Sequence, residues 1–144
     1  MKIAIASDHA GYALKTLVIE HLKTKGLTEV HDFGPEDDKN SVDYPDYAKK
    51  VAKEVLSDQD YLGILICGTG IGMCITANKF KGIRAAHVGD PYSSEMARRH
   101  NNANIICLGG RVVGAGLAFK IIDAWMDAEY EGGRHEKRLA KIEG

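Results

Sequence analysis

Apolar residues recur along this chain in two alternating rhythms. Short unbroken runs are separated by longer stretches in which apolar positions return every three or four residues. The run Ile64-Leu65-Ile66 has no polar alternation and reads as a strand buried on both faces, as in a parallel sheet. The same reading gives strands over residues 2–6, 29–33, 62–67, 83–88 and 104–108. Between them the spacing predicts a helix over 12–25, with Leu14, Leu17, Val18 and Leu22 on one stripe and Gly26 ending it. Pro45 sets the first turn of a second helix, with Tyr47, Val51, Val55 and Leu56 inward. Further helices are predicted over 73–79, 91–100 and 114–128. A Gly132-Gly133 break precedes a basic helix over 134–142, and residues 34–43 form a charged loop.

Strands alternating with helices predict an α/β fold. The expected architecture is a three-layer α/β/α sandwich, Rossmann-like, with a five-stranded parallel sheet and a C-terminal basic helix. Such sheets bind ligands beyond the carboxyl ends of their strands. That rule gathers polar residues distant in sequence: Asp8 and His9 after the first strand, Cys67 to Gly72 after the third, and Gly109-Gly110-Arg111 after the fifth.

Composition narrows the function. A chain of 144 residues is expected to be one domain, burying about 68–70% of its unfolded surface. A net charge of −1 carries no signature for nucleic acid or for a membrane surface. No apolar run approaches the about 18 residues of a membrane span, and the first residues enter a strand without a signal-peptide pattern, so the cytoplasm is expected. The three cysteines have no Cys-x-x-Cys spacing, and the six histidines lack an i, i+4 pair, so no disulfide framework and no metal site is expected.

The glycine turn Gly68-Thr69-Gly70-Ile71-Gly72 lies between a strand and a helix start. Bare backbone N–H groups and the positive end of a helix dipole make such a turn an anion site. Cys67 stands beside that pole, where a thiol should ionise below its ordinary value of about 8.5. The pattern has a plainer explanation too, since glycines after a strand also permit close packing and buried cysteines are usually small hydrophobes. Asp8-His9 pairs a carboxylate with an imidazole, or caps a helix. His100 and Asn101 follow Arg98-Arg99 at a helix end, where a cation also suits the dipole. Arg134 and Arg138 lie four apart on one helix face, as a phosphate clamp or as a solvated surface.

Taken together, the motifs resemble the type B ribose-5-phosphate isomerases, in the group that also contains the galactose-6-phosphate isomerase subunits. The resemblance rests on Ser7-Asp8-His9-Ala10-Gly11, Asp43-Tyr44-Pro45, Cys67-Gly68-Thr69-Gly70-Ile71-Gly72 and Ala77-Asn78-Lys79. It continues through His100-Asn101-Asn102-Ala103-Asn104, Gly109-Gly110-Arg111 and Glu131-Gly132-Gly133-Arg134-His135, covering essentially the whole chain in order.

The resemblance implies interconversion of ribose 5-phosphate and ribulose 5-phosphate with no metal or organic cofactor. It gives ring opening to His100, a role that suits imidazole because the free side chain changes charge near neutrality. Cys67 would move the proton between carbons 2 and 1 through a cis-enediolate, stabilised by the N–H groups of Gly68, Gly70, Ile71 and Gly72. Thr69 would shuttle a proton between the oxygens. Asp8, His9, Tyr44 and Asn101 would bind the sugar, and Arg111, Arg134 and Arg138 the phosphate. Some members carry a glutamate base at the end of the glycine loop; here that position is Met73, which leaves Cys67 as the base. The family shares its site between subunits, so a homodimer or a dimer of dimers is implied, with no nucleic-acid or membrane partner. The alternatives are an isomerase of a six-carbon aldose phosphate, or a sugar-phosphate-binding regulator without chemistry.

Overall fold

The computed structural model describes residues 1–144. Its elements alternate as the apolar pattern predicts: β1 (Lys2–Ser7), α1 (Tyr12–Thr24), β2 (Val30–Asp32), α2 (Tyr44–Ser57), β3 (Tyr61–Cys67) and α3 (Ile71–Ala77). β4 (Ala85–His87), α4 (Pro91–Asn101), β5 (Ile105–Gly109), α5 (Ala115–Asp127) and α6 (Glu136–Glu143) complete the chain, with a 3-10 turn at Gly133–His135 leading into α6. The five strands form one sheet in the order β2-β1-β3-β5-β4, and every pairing is parallel.

Right-handed crossovers then decide which face each helix takes. The chain moves one way along the sheet through α2 and α3, and the other way through α1 and α4. The packing agrees: α1, α4 and α5 cover one face with Leu14, Val18, Ala97, Ile121 and Trp125, whereas α2 and α3 cover the other with Ala48, Val51, Ala52 and Met73. β3 sits at the centre and is buried along its whole length.

Two apolar residues depart from the predicted stripes. Leu17 is 43% exposed and Leu56 is 46% exposed. On α1 the buried arc runs through Leu14, Val18, Leu22 and Lys15, which places Leu17 about 110° from its centre at 100° per residue. Lys15 takes the inward place. Its buried ammonium donates to Asp32 Oδ1 at 2.9 Å and to the Pro35 carbonyl at 2.6 Å. On α2 the small side chains of Ala48 and Ala52 face the sheet with Val51 and Val55, and Leu56 falls outside that arc. β2 and β4 are the outer strands and span three residues each, fewer than the apolar runs predict.

Candidate active site

The chain leaves β1 toward one face and β3 toward the other, so a crevice opens between their carboxyl ends. Asp8 lies there, 7% exposed. Its N–H donates to the Ile66 carbonyl at 3.1 Å, and its Oδ1 accepts the Gly11 N–H at 3.0 Å. The carboxylate thus closes the turn that leads into α1, whose N-cap is Gly11 with no side-chain bond rather than Asp8, and is fixed in place by doing so. His9 Nδ1 accepts the Val42 N–H at 3.1 Å, which ties the charged loop to this edge and sets the ring's tautomer.

Cys67, 5% exposed, ends β3. Its Sγ accepts the Gly70 N–H at 3.1 Å. Gly70 has φ +83°, and a Cβ there would stand 2.8 Å from the Leu108 carbonyl carbon, so only glycine fits this turn. Thr69 Oγ1 accepts the Ile71 N–H at 3.2 Å. The N–H groups of Gly68, Thr69 and Gly72 donate to no other backbone group. They are the free donors an oxyanion would use. The Tyr44 ring packs against Gly72, where a side chain would collide with it. Arg111 is exposed, and its side chain lies over Gly68, with Cδ and Nη1 3.7 Å from where a Cβ would sit. Met73 is fully buried in the core between α3 and the sheet.

His87 belongs to this edge and escaped the sequence reading. Its Nε2 donates to the Thr69 carbonyl at 2.8 Å, reaching across the end of β5 to hold the glycine loop. The strand-end rule that gathered Asp8, Cys67 and Arg111 would have found it too, since it closes β4.

His100 and Asn101 stand elsewhere. They end α4, which runs back from the carboxyl edge of β4 to the amino edge of β5. The two edges lie about 15 Å apart along a five-residue strand. Arg134 and Arg138 share this amino edge. Arg134 is 65% exposed, and α6 buries none of its residues. Its far end is tied down by Arg84 Nη1 donating to Glu143 at 2.9 Å. Within one chain, therefore, the three arginines do not converge, and His100 does not meet Cys67.

Glu131 organises the amino edge, and no motif reading singled it out for a role. Its N–H donates to the Arg99 carbonyl at 2.9 Å, and its Oε2 accepts from Arg99 Nε at 2.8 Å. His100 and His135 stack with centroids 4.4 Å apart and present Nε2 atoms 3.6 Å from its two oxygens. Partial burial pushes the Glu131 carboxyl up, but the Arg99 guanidinium, with His100 and Arg134, outweighs it and holds the group below its ordinary value. Burial, then Arg134 and His100, lower His135 and favour its neutral ring.

The cysteines also form a set. Cys67, Cys74 and Cys107 share the core under α3. A hydrogen bond with Cys107, with help from the N–H of His87 and the Asn78 amide, brings the Cys74 thiol down to about 7 against its burial. Burial pushes Cys107 well up.

Comparison with known proteins bears on these edges. A model of the ribose/galactose isomerase family matches residues 3–142. The chain is 48% identical to ribose-5-phosphate isomerase B of Escherichia coli over 141 residues, which is 98% of this chain and 93% of that protein. It superposes on ribose-5-phosphate isomerase B of Clostridium thermocellum with a TM-score of 0.95 at 53% identity, covering 99% of this chain and 95% of the other. The Mycoplasma genitalium enzyme, solved with bound ribulose-5-phosphate, superposes with a TM-score of 0.94 at 48% identity, covering 99% and 93%. No helix of the chain is long and apolar enough to cross a membrane.

Proposed function

The chain belongs to the ribose/galactose isomerase family, and from that premise we propose that it interconverts D-ribose 5-phosphate and D-ribulose 5-phosphate, with residues 1–144 acting as one catalytic domain. The observation that carries this reading is the Cys67 thiol held at 3.1 Å by the Gly70 amide, at the mouth of a loop with free N–H donors. A base and an oxyanion cradle side by side suit proton transfer next to a carbonyl, the step at the centre of an aldose–ketose interconversion.

In the reaction as we read it, His100 opens the furanose by moving a proton from the anomeric hydroxyl at carbon 1 to the ring oxygen, as the bond between carbon 1 and that oxygen breaks. The Cys67 thiolate takes the proton from carbon 2, and the electron pair shifts onto the carbonyl oxygen at carbon 1. The cis-enediolate so formed is held by the free N–H groups of Gly68, Thr69 and Gly72; the Gly70 and Ile71 amides, which the sequence also offered, are engaged by Cys67 Sγ and Thr69 Oγ1. Thr69 relays the hydroxyl proton between the two oxygens, and Cys67 returns its proton at carbon 1. Asp8, His9, Tyr44 and Asn101 hold sugar hydroxyls, and Arg111, Arg134 and Arg138 hold the phosphate. Because Met73 is buried and has no acidic group, the loop provides no second base.

The two edges of one chain are too far apart to form one site. We therefore read the protein as a homodimer in which the amino edge of each subunit completes the carboxyl edge of the other. Two-fold symmetry then gives two identical sites. Exposed Ile71 and Ile75 beside the glycine loop, and exposed Ile142 on α6, supply apolar surface for such a contact. Assay of the purified protein with ribose 5-phosphate and allose 6-phosphate, beside its mass in solution, tests the reading. Turnover of the pentose phosphate by a dimer or tetramer is expected. Turnover of neither sugar overturns it, and preference for the six-carbon substrate replaces the substrate class.

A further inference from the structure

We propose that His100, Glu131 and His135 form a zinc-binding site at the end of α4, and that zinc held there withdraws His100 from the reaction. One nitrogen of each imidazole and one oxygen of the carboxylate lie within 4.8 Å of one another. Both Nε2 atoms are 3.6 Å from an oxygen of the same carboxylate. Neighbouring ligands around a tetrahedral zinc, with bonds of about 2.0–2.1 Å, are about 3.3 Å apart, so donors that lie within 4.8 Å of one another draw together by at most about 1.5 Å to complete three coordination bonds. The donor set of two imidazoles and one carboxylate suits zinc better than calcium or magnesium, which prefer oxygen.

A second observation points to a ligand. His135 Nε2 is buried and has no hydrogen-bond partner, on a side chain only 6% exposed. A buried polar atom without a partner is uncommon in a folded chain, and this one faces the carboxylate of Glu131. The ligands are also held in advance. The Glu131 N–H is bonded to the Arg99 carbonyl, and the His135 N–H to the Gly132 carbonyl. Stacking at 16° between the rings keeps both nitrogens turned to the same side.

Arg99 and Arg134 oppose a cation here. Arg99 holds Oε2 at 2.8 Å and is itself paired with Glu95 at 2.9 Å, so zinc would take Oε1 and leave that pair intact. Arg134 is 3.9 Å from Oε1 and largely in water, free to turn away. Three protein ligands leave a fourth position for water. The binding claim stands on these residues alone. The inhibition claim rests on the role given to His100 above.

The test is a calorimetric titration of the full chain with zinc chloride, paired with NMR of the imidazole nitrogens. One zinc per chain is expected, with the Nε2 signals of His100 and His135 shifting together. His135→Ala should weaken binding at least tenfold, whereas Cys67→Ser and Cys74→Ser should leave it unchanged. Zinc that moves neither imidazole signal in the wild-type protein overturns the site without any variant, as does binding lost with either thiol. Saturating zinc should stop turnover of ribose 5-phosphate, with recovery on adding a chelator. Inhibition that persists undiminished in His135→Ala overturns the proposed route. Full turnover with both imidazoles coordinated removes the inhibition claim and the role of His100, while the site itself stands.

Discussion

The two edges of the sheet hold their polar residues in opposite physical states. At the carboxyl edge Asp8 and Cys67 are buried, and each is bonded to a backbone amide that the fold has already fixed. At the amino edge Arg138 stands in water on α6, which buries none of its residues, and Arg134 is exposed on the 3-10 turn before it rather than on the same helix as the spacing predicts. The contrast fits the role proposed for each set. Proton transfer from carbon needs a base and oxyanion donors in place before the charge develops, because reorganising them would add to the barrier. A phosphate clamp can be ordered by its ligand, since charge-assisted bonds to a guanidinium tolerate some travel. An exposed clamp also needs a second surface to close over the sugar, and in the proposed dimer the carboxyl edge of the other subunit is such a surface.

Breaking the buried edge should have the largest effect. Cys67→Ala leaves the strand and its packing but removes the proposed base, so turnover should fall by at least about 10²–10⁴-fold while substrate binding and thermal stability change little. Steady-state kinetics with a melting curve checks this, and near-wild-type turnover would make Cys67 a packing residue. Gly70→Ala attacks the same edge through the backbone. A side chain at φ +83° and 2.8 Å from the Leu108 carbonyl carbon must displace the loop, at a cost of about 1–3 kcal/mol. The Gly70 amide would move away from the thiol with it. Turnover should therefore drop more than stability predicts. A variant less stable but equal in turnover would show that the amide–thiol bond is incidental.

The exposed edge should break more gently. On the proposed reading, losing the Arg134 guanidinium removes a charge-assisted bond to the phosphate of about 1.5–3 kcal/mol, which is roughly ten- to a hundredfold in KM if substrate and transition state share it. Stability should move by no more than about 0.5 kcal/mol. Mixing Cys67→Ala and Arg134→Ala chains sharpens the comparison further. In a two-fold dimer with shared sites, full exchange restores about a quarter of the sites, because each mixed dimer holds one intact and one doubly altered site. At substrate below the raised KM the mixture should exceed either parent. No gain despite proven exchange would put both halves of the site in one chain.

The same contrast explains what could be read from sequence. The strand-end rule found Asp8, Cys67 and Arg111 together because those positions follow from strand order alone. The apolar runs gave the central strands closely and the outer ones too long, since β2 and β4 pair on one side only and lose residues at their ends. Lys15 was missed because its buried charge is satisfied by Asp32 and a loop carbonyl far along the chain. The Glu131 cluster was missed for a related reason. His100 and His135 have no helical spacing, and only the packing of α4 against the turn before α6 stacks their rings. A search for i, i+4 histidine pairs has no means of detecting that arrangement.

The smallest expected effect concerns a polar group near the exposed edge that does touch the body of the protein. Asp123 on α5 accepts from His21 Nε2 at 2.8 Å and from Lys25 Nζ at 2.9 Å, which joins α5 to the end of α1. Burial alone would raise its pKa, but the bonds to Lys25 and His21 outweigh burial and hold the carboxyl below its ordinary value. A carboxyl depressed in the folded state stabilises the protein above the unfolded value of about 3.9, and that contribution is lost as the pH falls through the folded value. Asp123→Asn should therefore cost about 1 kcal/mol near pH 7, or about 2–4 °C in Tm for a chain of this size. The gap between wild type and variant should narrow as the pH falls below about 3.9 and close below the folded value, and the kinetics at pH 7 should not change. A gap that stays equally wide as the pH falls would mean that the amide disturbs packing rather than charge. A loss of activity would mean that the junction of α1 and α5 positions the exposed edge, and that the two kinds of polar residue are less separate than their burial suggests.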